Sequence, residues 1–184
     1  MTQHPESFSS NPHATAPQAP DVAFAHIVYF EPRIAGNTGS AIRLAAVTGA
    51  RLHLIEPLGF DLEESKLRRA GLDYHDLAVL SVHSTFDSFC QSMPQARIFA
   101  FEVGSAITYT SVEYQLGDVL LFGPEPTSIP DEVLNHPRIT ARVSLPMLPG
   151  RRSLNLTNAA SIAVYEAWRQ LGFTGARFRE GMAH

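Results

Sequence analysis

The chain has 184 residues, 45% of them hydrophobic, which suffices for one domain with a sizeable core, and its formal charge is −4. That acidic balance excludes a protein that coats nucleic acid by bulk electrostatics, while leaving room for a local basic face. A single cysteine, Cys90, excludes an internal disulfide framework, and no apolar run approaches the roughly 18 residues of a membrane span. With no charged-then-apolar leader pattern at the amino terminus, a cytoplasmic protein without membrane attachment is expected.

Residues 1–22 are rich in Pro, Ser, Ala, Gln and Asn and carry almost no large apolar side chain, so they are expected to form a disordered tail ahead of a single domain, 23–184. The run Ala25 to Phe30 has the composition of a buried strand. A turn-rich stretch, 31–39, follows, and then an apolar-periodic helix through Ile42, Leu44, Ala45 and Val47 that stops at Gly49. Arg51–Ile55 is a second strand, Leu62–Ala70 a short charged helix and Ala78–Val82 a third strand. Phe86–Cys90 lies on a helix that ends before Pro94. Arg97–Phe101 and Asp118–Phe122 are two more buried strands separated by a polar segment, a helix starts at Pro130, and Ile139–Leu145 is a sixth strand.

In the last helix Leu156, Ala159, Ala160, Ala163, Ala167 and Leu171 recur at three- and four-residue steps, with Gly172 as the stop. Ser153, Asn155, Thr157 and Asn158 crowd around its start, although one such residue suffices as an N-cap. Both a redundantly capped core helix and a loop that holds a polar ligand fit this excess. Strands alternating with helices give an α/β fold with a mainly parallel, helix-flanked sheet. On such sheets ligands bind outside the carboxyl ends of the strands.

Three loops stand at such ends. Gly36-Asn37-Thr38-Gly39-Ser40 leads into a helix carrying Arg43. Phe122-Gly123-Pro124-Glu125 sets a carboxylate beside a glycine and a proline. The segment 145–158 connects the sixth strand to the last helix. Lys66, Arg68 and Arg69 form one basic cluster and Arg151 with Arg152 another; each is either a solvated charge group or part of a basic face. The eight histidines show no ligand spacing, so no metal is expected.

Taken jointly, Asn37-Thr38-Gly39 with Arg43, Phe122-Gly123-Pro124-Glu125, and Leu145-Pro146-Met147 with Ser153-Leu154-Asn155-Leu156 and Asn158-Ala159 resemble the three signature motifs of the SPOUT-class RNA ribose methyltransferases. The stretches Ile55–Phe60, Leu67–His75 and Val164–Gly172 are similar to the branch that methylates the wobble nucleotide of certain leucine tRNAs. The resemblance implies an α/β domain with a C-terminal trefoil knot, S-adenosyl-L-methionine as cofactor with S-adenosyl-L-homocysteine as product, and a homodimer that binds tRNA rather than DNA. It implies Phe101, Gly123, Leu145 and Ser153 as cofactor-binding residues. Arg43 is implied as the catalytic arginine, supported by Asn37, with Glu125 positioning Arg43 or a group of the partner chain. Lys66, Arg68, Arg69, Arg151 and Arg152 are the candidate RNA contacts. Two departures from the family pattern stand out: Ser40 in place of an asparagine, and Pro126-Thr127-Ser128 where relatives usually have Thr-Arg-Gly. Methylation of another tRNA or rRNA nucleotide, or RNA binding without catalysis, are the alternative functions.

Overall fold

The apolar runs assemble into one parallel sheet because each is buried on both faces, as strands flanked by helices on either side must be. The structure, a computed structural model, describes residues 23–62, 80–125 and 127–176. Seven strands are present among them: β1 Ala25–Phe30, β2 Arg51–Ile55, β3 Leu80–His83, β4 Ile98–Phe101, β5 Ile107–Thr108, β6 Asp118–Phe122 and β7 Ile139–Ser144. Every pairing is parallel and the order across the sheet is β3-β2-β1-β6-β4-β7-β5.

Side chains alternate between two cores. Ala25, Ile27, Tyr29, Leu52, Leu54, Leu120 and Phe122 face α1 (Ala35–Thr48) and α4 (Leu156–Gln170). Val28, Phe30, Ile55, Ile98, Val119 and Leu121 face α2 (Phe86–Ser92) and α3 (Asp131–Leu134). Trp168 belongs to the first core, stacked on Phe24 with ring centroids 5.7 Å apart. No helix among the described residues is long and apolar enough to cross a membrane.

Most of the expected elements form within a residue or two of their predicted ends. The helix expected over Leu62–Ala70 and the first residues of the third strand lie outside the described residues, as does the amino-terminal tail. Two findings differ. First, α1 begins at Ala35 and absorbs the glycine-bracketed stretch expected as a turn. Asn37, Thr38 and Gly39 are buried there against the rest of the molecule, and tertiary contact overrides their poor helix propensity. Second, the polar segment between β4 and β6 contains β5, whose two residues pair with Val143 and Ser144 of β7.

The position of β5 matters for topology. Strand β7 is inserted between β4 and β5, which the short segment 102–106 joins directly. That segment therefore crosses the carboxyl end of β7, and it is tied there: the Glu102 amide donates to the Val143 carbonyl at 2.9 Å, and Ser144 Oγ donates to the Ser105 carbonyl at 2.9 Å.

Candidate active site

Strands β4, β6 and β7 end level with one another, Phe101 opposite both Phe122 and Val143. The loops that follow them, together with the starts of α1 and α4, enclose a cavity of about 380 Å³. Phe101, Gly123, Leu145 and Ser153 all line it, and so do Asn37 and Glu125. Residues distant in sequence converge because the three strands run parallel and deliver their loops to one edge.

Its wall is aromatic. Phe101 and Phe122 stack with centroids 4.6 Å apart and planes 20° from parallel, and Tyr29 meets the Phe122 ring edge-on from behind. Gly123 permits the next loop to fold over the pocket. A Cβ at that position would lie 2.8 Å from both the backbone N and the Cγ1 of Ile129, closer than atoms can approach.

The polar groups form one oriented chain that starts at the N-cap of α4. Asn155 Oδ1 accepts from the amides of Thr157 (3.0 Å) and Asn158 (3.3 Å), which forces its Nδ2 outward. That nitrogen donates to Asn37 Oδ1 at 2.8 Å, which in turn aims Asn37 Nδ2 at Glu125 Oε1. The other Glu125 oxygen accepts from the Arg33 amide at 3.0 Å. The direction of each amide is thus fixed by its neighbour, and the carboxylate ends the chain at the pocket. Ser40 does not take part; its hydroxyl donates to the Gly36 carbonyl within α1.

Arg43 stands apart. It is exposed on α1 and does not line the cavity. Six helical steps lead from Asn37 to Arg43, which turns it some 240° around the axis and about 9 Å along it. Glu125 is held by Asn37 and the Arg33 amide. Arg151 and Arg152 are exposed on the loop that leads to Ser153, at the rim, whereas Lys66, Arg68 and Arg69 lie outside the described residues. Among the described residues, none lining the cavity is basic, while two, Glu102 and Glu125, are carboxylates.

Three histidines form a separate array on the face covered by α2. His26 Nδ1 meets His53 Nε2 at 2.9 Å, and His53 Nδ1 meets His83 Nε2 at 3.0 Å. Burial lowers all three pKa values, to about 4 for His26 and about 3 for His53, with Arg51 adding repulsion at both. Among the described residues no group of three or more His, Cys, Asp or Glu has the geometry of a metal site. Cys90 is buried in the core under α2, and that burial raises its thiol pKa.

Sequence reasoning missed Glu102 and Tyr29 as neighbours of the site. Glu102 follows β4 with no local mark, and Tyr29 looks like any other core aromatic. The excess of polar residues before α4 was the one available signal, and it resolves into distinct tasks: Asn155 caps, Thr157 reaches α1, Ser153 lines the cavity and Asn158 faces water.

Comparison with known proteins places this geometry. Residues 25–165 match the SpoU rRNA Methylase family. A tRNA (cytidine(34)-2'-O)-methyltransferase from Methylovorus glucosotrophus is 47% identical over 82% of this chain and 97% of its own length; the Escherichia coli protein of that name is 45% identical over 84% and 99%. A solved structure concerned with 2-OH methylation of C/U34 on tRNA superposes with a TM-score of 0.73 at 44% identity, covering 80% of this chain and 96% of that one. An AdoMet-bound rRNA methyltransferase from Sinorhizobium meliloti shares the fold, with a TM-score of 0.71 at 23% identity, over 83% of this chain and 58% of its own. Fold, motif order and identity over nearly the whole length of the two named transferases agree, and the chain belongs to the SpoU methylase family.

Proposed function

We propose that the protein transfers a methyl group from S-adenosyl-L-methionine to the ribose 2′-oxygen of the wobble nucleotide, cytidine or uridine 34, of leucine tRNAs in the cytoplasm. The observation that carries this reading is the 45–47% identity to transferases of that name across 97–99% of their length. The choice of leucine tRNAs rests on the motif resemblance in 55–60, 67–75 and 164–172.

The cavity fits the cofactor. Its volume is that of a small-molecule site, the stacked Phe101 and Phe122 offer an apolar surface to an adenine, and Glu102 and Glu125 favour a ligand with cationic groups. Phe101, Gly123, Leu145 and Ser153 are the residues proposed to hold it. When bound, it supplies an electrophilic methyl on a sulfonium centre.

The chain's own groups then have to place a ribose hydroxyl in line with that methyl and ease the loss of its proton. Arg43 is assigned to orient the hydroxyl and stabilise the developing alkoxide through its guanidinium donors. Since it does not line its own cavity, a second copy of the chain is proposed to supply it. Exposed Val47 on α1, with Ile162 and Tyr165 on α4, gives the packed pair of helices apolar surface for such a homodimer. Asn37 and Glu125 keep the polar end of the cavity in one arrangement. Arg151 and Arg152 at the rim, with Lys66, Arg68 and Arg69, are assigned to the RNA backbone.

The test is transfer of labelled methyl to purified leucine tRNAs, followed by nuclease mapping. Label on the 2′-oxygen of nucleotide 34 is expected. Cofactor binding by calorimetry with no label on any leucine tRNA would refute this substrate. It would favour another RNA, or a binding role linked to exposed Thr127 and Ser128, which line the cavity where relatives usually carry an arginine and a glycine.

A further inference from the structure

Behind the oriented chain of asparagines lies a second, fully buried one. Thr157 Oγ1 donates its single proton to the Asn37 backbone carbonyl at 2.8 Å and accepts from the Tyr29 hydroxyl at 3.2 Å. The Thr157 amide donates to Asn155 Oδ1, so this one residue touches both asparagines that lead to Glu125. Thr157 is 6% exposed and Tyr29 is not exposed at all. Burial pushes the Tyr29 phenol above its ordinary pKa, so it remains a donor. The Tyr29 ring rests edge-on against Phe122, and Phe122 stacks on Phe101, both in the cavity wall.

We infer that Thr157, backed by Tyr29, is a positioning residue of the site: its hydroxyl locks the first turn of α1 to the first turn of α4 and so fixes where Asn37 presents its amide to Glu125. This rests on the cavity being the methyl-transfer site. Without the hydroxyl bond, the Asn37 carbonyl loses a buried donor, and the α1 turn is free to shift relative to the Asn155 amide, which the α4 amides still hold. A purely structural role would lower stability and leave turnover per folded molecule unchanged.

The experiment uses the full chain with Thr157→Val, Thr157→Ser and Tyr29→Phe, substitutions that keep shape and remove or retain one hydroxyl. Methyl transfer to leucine tRNA, cofactor affinity by calorimetry and the side-chain amide resonances of Asn37 and Asn155 by NMR are measured together. Thr157→Val is expected to lower kcat about five- to tenfold, the worth of one neutral hydrogen bond. KM for tRNA and cofactor affinity should stay within about twofold, the Asn37 amide resonances should shift, and Thr157→Ser should restore both kcat and resonances. Tyr29→Phe should give a smaller change in the same direction. Unchanged kcat with unmoved amide resonances in Thr157→Val would overturn the inference, and so would a Thr157→Ser protein that fails to recover. Were wild type itself inactive on leucine tRNA, the substrate proposal would fail, while the amide resonances would still decide the positioning role.

Discussion

Replacing Asn155 by Asp separates the two tasks that one side chain performs at the start of α4. As N-cap, Asn155 accepts from the amides of Thr157 and Asn158; an aspartate oxygen accepts both equally well and adds a favourable charge at a helix N-terminus. As a link to the site, it donates from Nδ2 to Asn37 Oδ1 at 2.8 Å, and there the substitution puts a second acceptor. Asn37 must then turn its amide nitrogen toward residue 155, and its carbonyl oxygen faces the Glu125 carboxylate, which loses its donor. A hydrogen bond to a charged group contributes about 1.5–3 kcal/mol, so methyl transfer should fall roughly 10- to 150-fold. Stability should fall as well, by about 1–2.5 kcal/mol once the aspartate's gain of about 0.5 kcal/mol at the helix N-terminus is set against the lost bond, whereas Asn155→Ala should cost about 1 kcal/mol for the lost cap. Steady-state methyl transfer and urea denaturation of the same preparations measure the two effects. An Asn155→Asp protein that transfers methyl at the wild-type rate would refute the claim that amide direction is passed from α4 to Glu125.

Gly123→Ala should abolish cofactor binding by calorimetry, because the added Cβ meets the Ile129 backbone nitrogen at 2.8 Å and displaces the loop over the cavity; retained affinity would mean that this loop has another path. Arg43→Ala should eliminate transfer while leaving the fold intact and the cofactor affinity unchanged, since the side chain is exposed and outside its own cavity. Stability should fall on acidification below about pH 6.5, where the unfolded chain binds protons that buried His26 and His53, with pKa values near 4 and 3, refuse until the pH is much lower. For His26 alone the loss amounts to roughly 3 kcal/mol by pH 4, and a melting temperature constant from pH 7 to 5 would contradict it. Replacing both Arg151 and Arg152 by Ala should reduce the salt dependence of tRNA binding by about one to two in log–log slope, read from filter binding at several salt concentrations.

The sheet could be predicted because β1, β4 and β6 are short, mostly apolar runs, the pattern that burial on both faces imposes. Strand order could not, since it depends on which edges meet. Strand β5 has two half-exposed residues and exists only because β7 lies beside it, so no local pattern could mark it. The start of α1 misled for a related reason: Gly36, Thr38 and Gly39 argue for a turn, yet Thr157 and Asn155 hold that turn in helical form from across the molecule. Asn37, Gly123 and Glu125 stood out as residues of unusual loops, but their connection through the cap of a helix 118 positions away had no sequence signature.

The charges of the site point beyond one chain. A cavity lined among the described residues by two carboxylates and no basic side chain suits a cationic cofactor, and the same surroundings oppose an alkoxide forming beside it. Methyl transfer to a ribose oxygen therefore needs positive charge brought in when the substrate arrives. Arg151 and Arg152 stand exposed on the loop that leads to Ser153, and are the groups proposed to meet a backbone phosphate. Arg43 lies on the helix whose first turn carries Asn37, some 240° around the axis from it, and we propose that another copy of that helix delivers it. Mixing an Arg43→Ala protein with a Gly123→Ala protein tests this. If each site takes its arginine from the partner, a mixed dimer has one cavity that binds cofactor and receives an intact Arg43 only when the Gly123→Ala chain donates it, so activity should return to at most about half of wild type from two inactive parents. No recovery in a mixture shown by mass spectrometry to contain the heterodimer would place Arg43 in its own chain's site.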